Sequence, residues 1–160
     1  MNTIKTKDKT KEQLKTILET SNHIEIVRQL LRICTNQLTE RGVVHDATKN
    51  QDPELSVFTE YTPKLEGSTY GSEEYEEFRA EMRPALEHHY RTCRHHPEHF
   101  RNGVEDMNLL DLLEMVCDWK ASSLRHHDGN ILKSIEINTK RFGISKQLAR
   151  IMKNTVELFE

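Results

Sequence analysis

The sequence predicts an all-α fold in a single domain. Apolar residues recur at helical spacing along most of the chain, and small polar residues stand where helices should start. No stretch of convincing length alternates apolar and polar residues with the two-residue period of a strand, and no internal repeat or low-complexity tract appears.

Residues 1–12 carry Lys5, Lys7, Asp8 and Lys11 with little apolar content, which predicts a solvated lead-in before one domain over 13–160. Leu14, Ile17, Leu18, Ile24, Val27, Leu30, Leu31 and Leu38 then predict two helices divided near Ser21-Asn22, the second ended by Gly42. Asp52-Pro53, Thr62-Pro63 and the stretch from Gly67 to Gly71 predict short helices and turns between 49 and 71.

Ser72, followed by Glu73 and Glu74, opens a new helix with a polar cap and carboxylates in its first turn. Pro84 restarts or kinks it, and the next helix holds Ala85, Leu86, His89, Tyr90 and Cys93. Pro97 and Gly103 bracket a loop. Asn108 to Arg125 is the clearest amphipathic helix, with Leu109, Leu112, Leu113, Val116, Trp119 and Ala121 on its apolar side. Ile131 to Phe142 forms another, and Ser145 caps the last, over 146–158.

A chain of 160 residues has the size of one ordinary domain, and such a domain buries roughly 70% of its unfolded surface. With 31% charged residues and a net charge of −3, nothing commits it to coating DNA or binding an acidic membrane. The longest apolar run, Leu109 to Cys117, is broken by Asp111 and Glu114, so no transmembrane span is expected, and the polar N-terminus predicts no signal peptide. Cys34, Cys93 and Cys117 are odd in number and form no Cys-x-x-Cys pair. They predict reduced thiols and a cytoplasmic location.

His23, the dipeptide His45-Asp46, the pairs His88-His89 and His95-His96, and Asp118 are scattered in sequence. Imidazole and carboxylate are the ligands of borderline and hard divalent cations, and only a fold that gathers several helices makes one site of them. His45-Asp46 follows Val43-Val44 after Gly42, where neighbouring side chains can aim at one ion. His23, spaced four and seven residues from Val27 and Leu30, is expected on the core side of its helix, where a neutral imidazole needs a partner or a metal. Asp111, Glu114 and Asp118 form an acidic stripe that needs cationic compensation. A solvated face is expected for Asp111 and Glu114, with Glu114 available to orient a histidine. His89 is expected on the buried side of its helix, His88 nearer solvent, and His99 is the weakest candidate of the cluster.

The order His23, His45-Asp46, a downstream histidine cluster and Asp118 resembles the HD-domain superfamily of metal-dependent phosphohydrolases, over His23 to about Thr155. The strings RGVVHDATK, YGSEEY, HHYRTCRHHPEHF, DLLEMVCDWKA and SIEINTKRF also resemble a small, uncharacterised bacterial and phage family. The superfamily resemblance implies an HD-type helical bundle holding one or two divalent ions (Mn, Mg, Zn, Fe, Co or Ni), with His23, His45, Asp46 and Asp118 on one and His89 with at least one of His95 and His96 completing a second. It also implies that Lys49, in His-Asp-x-x-Lys, contacts substrate phosphate beside the catalytic Asp46.

Arg125 and Arg141 are candidate phosphate contacts, and no Gly-rich phosphate loop is present. The expected activity is hydrolysis of a phosphate ester or anhydride of a nucleotide-like small molecule by a metal-activated water. The alternatives are an iron-dependent oxygenase or lyase on the same scaffold, and a metal-stabilised module that binds a nucleotide or protein without turnover. Homo-oligomers are compatible with any of the three.

Overall fold

A computed structural model describes residues 9–68, 72–125 and 129–159. Among these residues the fold is all-α, with seven α-helices and no strand: α1 (Lys11–Val44), α2 (Glu54–Gly67), α3 (Glu73–Glu81), α4 (Arg83–Thr92), α5 (Leu109–Leu124), α6 (Ile131–Arg141) and α7 (Lys146–Val156). Short 3-10 turns occupy Ala47–Asn50, Pro97–His99, Gly103–Asp106 and Glu157–Phe159. No described helix is long and apolar enough to cross a membrane. Most of the expected lead-in, and Tyr70-Gly71 of the YGSEEY string, lie outside the described residues.

The chain divides into two compact units, Met1–Glu40 and Arg41–Glu160. What is described of the first unit is almost wholly α1, a helix of 34 residues with none of them buried. The expected break at Ser21-Asn22 does not occur. Neither residue is a breaker: each costs at most roughly 0.7 kcal/mol in a helix interior, less than starting a second helix after a gap. Gly42 does not end the helix either. The chain turns instead at Asp46, whose φ of 56° is left-handed, a conformation that Asp tolerates better than most side chains.

In the second unit, α5, α6 and α7 enclose a core of Val104, Met107, Met115, Val116, Ile131, Ile135, Ile144, Met152 and Val156. Trp119 and Phe142 pack against it with their rings stacked at 6.3 Å. The caps fall where the sequence predicts them. Ser72 accepts from the Tyr75 N–H, Ser145 from Leu148, and Asn108 forms a capping box with Asp111. Gly143 turns the chain between α6 and α7 with φ 63°. Leu109, expected in the core, is 80% exposed, because the first residue of α5 precedes the turns that pack.

The stretch read as short helices and turns contains α2, a single helix of 14 residues. Pro53 precedes its first residue and Pro63 lies within it. An interior proline loses its own N–H bond and crowds the carbonyl four residues back, at a cost of roughly 3 kcal/mol, yet α2 runs on through Pro63 to Gly67. Pro84 opens α4 in its first turn, where a missing N–H costs nothing.

Candidate metal centre

Four pieces of the second unit bring the site together: the end of α1 and the turn after it (His45, Asp46), α4 (His89), the segment before Pro97 (His95, His96) and α5 (Glu114, Asp118). Among the described residues, three groups of side chains are close enough to hold a cation. They are Asp46 with His89, His95 and His96; His45 with Asp46 and Asp118; and His45 with His95 and Glu114. Asp46 belongs to the first two. Its Oδ1 lies 3.2 Å from His89 Nε2 and 3.4 Å from His95 Nε2, while its Oδ2 lies 3.7 Å from His45 Nε2.

The opposite edges of these rings are tied to carboxylates. His45 Nδ1 is 3.0 Å and His95 Nδ1 is 3.3 Å from Glu114 Oε1, and His89 Nδ1 is 2.9 Å from Glu54 Oε2. A carboxylate accepting from Nδ1 fixes the tautomer and ring orientation and leaves Nε2 to face inward. Three Nε2 atoms therefore converge on one carboxylate. Asp46 Oδ1 and His95 Nε2 are buried yet meet the geometry of no hydrogen bond. Two orphaned polar atoms of this kind, 3.4 Å apart, are costly in a protein interior unless something binds both. A divalent cation fits that requirement and this donor set.

The electrostatics follow the same lines. The Asp118 carboxylate, 3.6 Å from Nε2, raises the His45 imidazole to about 9, against its burial and with help from Glu114 and Asp46. Burial pulls His89 down, but Asp46 and Cys93 outweigh it and carry it up to about 9. His96 goes the other way, to about 3, through burial and the charges of His95 and His89. Burial opposes ionisation of Asp46, yet His89, His95 and Lys49 hold its carboxyl well below the usual carboxylate range. Asp118 is likewise lowered, against its burial, chiefly by His45.

Residues 12–159 match the family described as Family of unknown function (DUF5662). The chain belongs to DUF5662. No curated protein and no solved structure matches it.

Of the candidate ligands in this DUF5662 chain, His45, Asp46, His89, His95, His96 and Asp118 come together. His23 is in none of these groups. It is exposed midway along α1, in the first unit, and the core-side position expected for it is corrected by a continuous helix with no buried residue. Lys49 is near but already engaged: its Nζ lies 2.6 Å from Asp46 Oδ2 and 5.3 Å from the Phe58 ring centroid. Arg125 and Arg141 are exposed and sit outside the cluster, Arg125 bonded to Ser122 and Arg141 to Glu98 at 2.9 Å. His99 donates to the Tyr90 carbonyl and joins no group.

The solvated face expected for Asp111 and Glu114 is corrected as well. Asp111 is fully buried, clamped by Arg41 and by a fork from Arg94, and Glu114 also receives Arg41. These guanidinium groups supply the compensation that the acidic stripe requires. Sequence reasoning missed Glu54 and Thr48. Glu54 is fully buried and accepts from Thr48 Oγ1 at 2.9 Å, from His88 Nδ1 at 2.7 Å and from His89 Nδ1. A single glutamate in the first turn of a helix gives no spacing signal, so only the fold reveals it.

Proposed function

We propose that this chain is a metal-dependent phosphohydrolase of the HD type, cleaving a phosphate ester or anhydride of a nucleotide. One observation carries the reading: the two oxygens of Asp46 are divided between two sets of imidazoles, His89 and His95 on one side and His45 on the other, with Asp118 Oδ1 3.6 Å from His45 Nε2. A carboxylate shared in this way suits two cations side by side, the arrangement that in-line displacement at phosphorus uses. His45, Asp46 and Asp118 would hold one, and Asp46, His89, His95 and His96 the other. Bound there, divalent ions supply a water acidic enough to attack near neutral pH and positive charge against the phosphoryl oxygens.

The chain's own residues do the rest. Glu114 and Glu54 hold the three imidazoles in orientation. Lys49 neutralises Asp46 at rest and lies within the same cluster, so a substrate phosphate that draws its Nζ away gains a charge-assisted hydrogen bond. Arg41 and Arg94 are spent on Asp111 and are not substrate groups. Arg125 and Arg141, both exposed at the ends of their helices, remain the proposed outer phosphate contacts. The nucleotide specificity rests on the resemblance of the His45-Asp46-x-x-Lys49 segment to the HD superfamily. A cytoplasmic location accords with three free cysteines.

The test is a screen of nucleoside mono-, di- and triphosphates and cyclic nucleotides with Mn, Mg, Zn, Fe, Co and Ni, run beside elemental analysis. Wild type should bind metal and release phosphate or a nucleotide product, and Asp46→Asn should lose both. Unchanged metal content in Asp46→Asn sinks the assignment. Metal without turnover favours a binding module, and oxygen consumption with iron favours an oxygenase.

A further inference from the structure

In α1, Ile17, Ile24, Leu31 and Leu38 stand seven residues apart, and Val27 and Cys34 follow the second and third of them by three. Thr20 fills the corresponding place after Ile17, so the apolar alternation of threes and fours runs from Ile24 to Leu38; it is the seam pattern of a two-stranded coiled coil, whose seven-residue period is kept where a second helix follows it. The seam is bare. No residue of α1 is buried, and Ile24 and Leu31 are 50% and 61% exposed. A helix of this length, about 51 Å, draws its stability in water from covering such a stripe.

The flanks of the seam say what covers it. Thr16, Ser21, His23, Arg28, Leu30, Thr35 and Gln37 border the stripe, and Arg28 alone among them carries a fixed charge, already paired with Glu25 at 2.8 Å. Two identical helices therefore meet without like-charge repulsion. The outermost positions of the same register, Asn22, Gln29 and Asn36, are all polar and suit solvent. A helix that matches α1 in length and in period is α1 itself. We infer that α1 pairs with α1 of a second copy, making the protein a coiled-coil dimer through Ile17–Leu38. This rests on neither the metal centre nor the proposed reaction.

Sedimentation equilibrium of the full chain at tens of micromolar tests it, with metal present and with chelator. The expected mass is twice the 18.8 kDa of one chain in both conditions. Ile24→Lys with Leu31→Lys should give a monomer that keeps its metal content, while Leu18→Lys, off the seam on the outer face, should leave the dimer intact. Circular dichroism shows whether each variant stays helical. A monomeric wild type overturns the inference, as does a dimer that survives the paired substitution in a folded protein. In either case α1 does not pair with a second copy through this seam.

Discussion

Lys49 and Glu54 act on Asp46 and His89 from opposite sides of the chemistry. Lys49 Nζ, 2.6 Å from Asp46 Oδ2, is a positive charge at a candidate cation site, so it competes with any ion for that oxygen. Lys49→Met should leave metal affinity unchanged or tighter while lowering turnover, since a phosphate contact of this kind is worth about 1.5–3 kcal/mol. Titration calorimetry with Mn and initial rates measure the two effects separately, and loss of metal in Lys49→Met contradicts this account. Glu54 does the reverse. Its carboxylate holds His89 Nδ1 from full burial, and outer carboxylates of this kind are worth about 10–100-fold in metal affinity. Glu54→Gln should weaken the His89 group by that factor and leave the His45–Asp118 pair its ion. A metal-to-protein ratio falling from two towards one is the reading expected, and His89→Ala should give the same ratio.

At the scale of elements, α1 shows how local signals lose to helix continuity. Gly42 lies inside a helix, is exposed, and a Cβ built on it meets nothing within 4 Å. Gly42→Ala should therefore stabilise the protein by roughly 0.5–1 kcal/mol, the cost of glycine in a helix interior, seen as a raised melting temperature. The helices after Ser72 were legible because each opens on a cap whose side chain makes the expected bond: Ser72, Asn108, Ser145. Between 49 and 71 the prolines misled, since Pro53 precedes α2 and Pro63 is carried within it. In the candidate site, His45, Asp46 and Asp118 were readable from residue type and order. Glu114, 3.0 Å from His45 Nδ1, was readable as a carboxylate able to orient a histidine, but Glu54 was not, because it looks like a surface residue until packing buries it. His23 failed for the same reason in reverse: helical spacing predicts which side chains share a face, not whether anything covers it.

For the whole molecule, the site makes stability depend on pH in a way that metal should invert. Without metal, His45 and His89 titrate near 9 in the folded chain, against 6.5 when unfolded. The folded state therefore binds more protons between those values, and the stability these two groups contribute is complete below pH 6.5 and lost as pH rises through 9. His96, held down to about 3, has the opposite sign: neutral in the fold and protonated when unfolded between 3 and 6.5, it costs stability as pH falls through that range. The metal-free protein should thus be most stable near pH 6.5 and weaken on both sides. Metal ligation needs neutral imidazoles, so binding releases the protons held by His45 and His89 and tightens from pH 6.5 to 9. Occupancy should then fall from a higher pH than the value near 6 that ordinary histidines give. Thermal melts in chelator and in excess Mn across pH 5 to 9 should diverge, the chelated curve falling above 6.5 and the gap between the two widening. A gap that stays constant over that range means that His45 and His89 exchange no protons with metal, and that the centre built around Asp46 binds none.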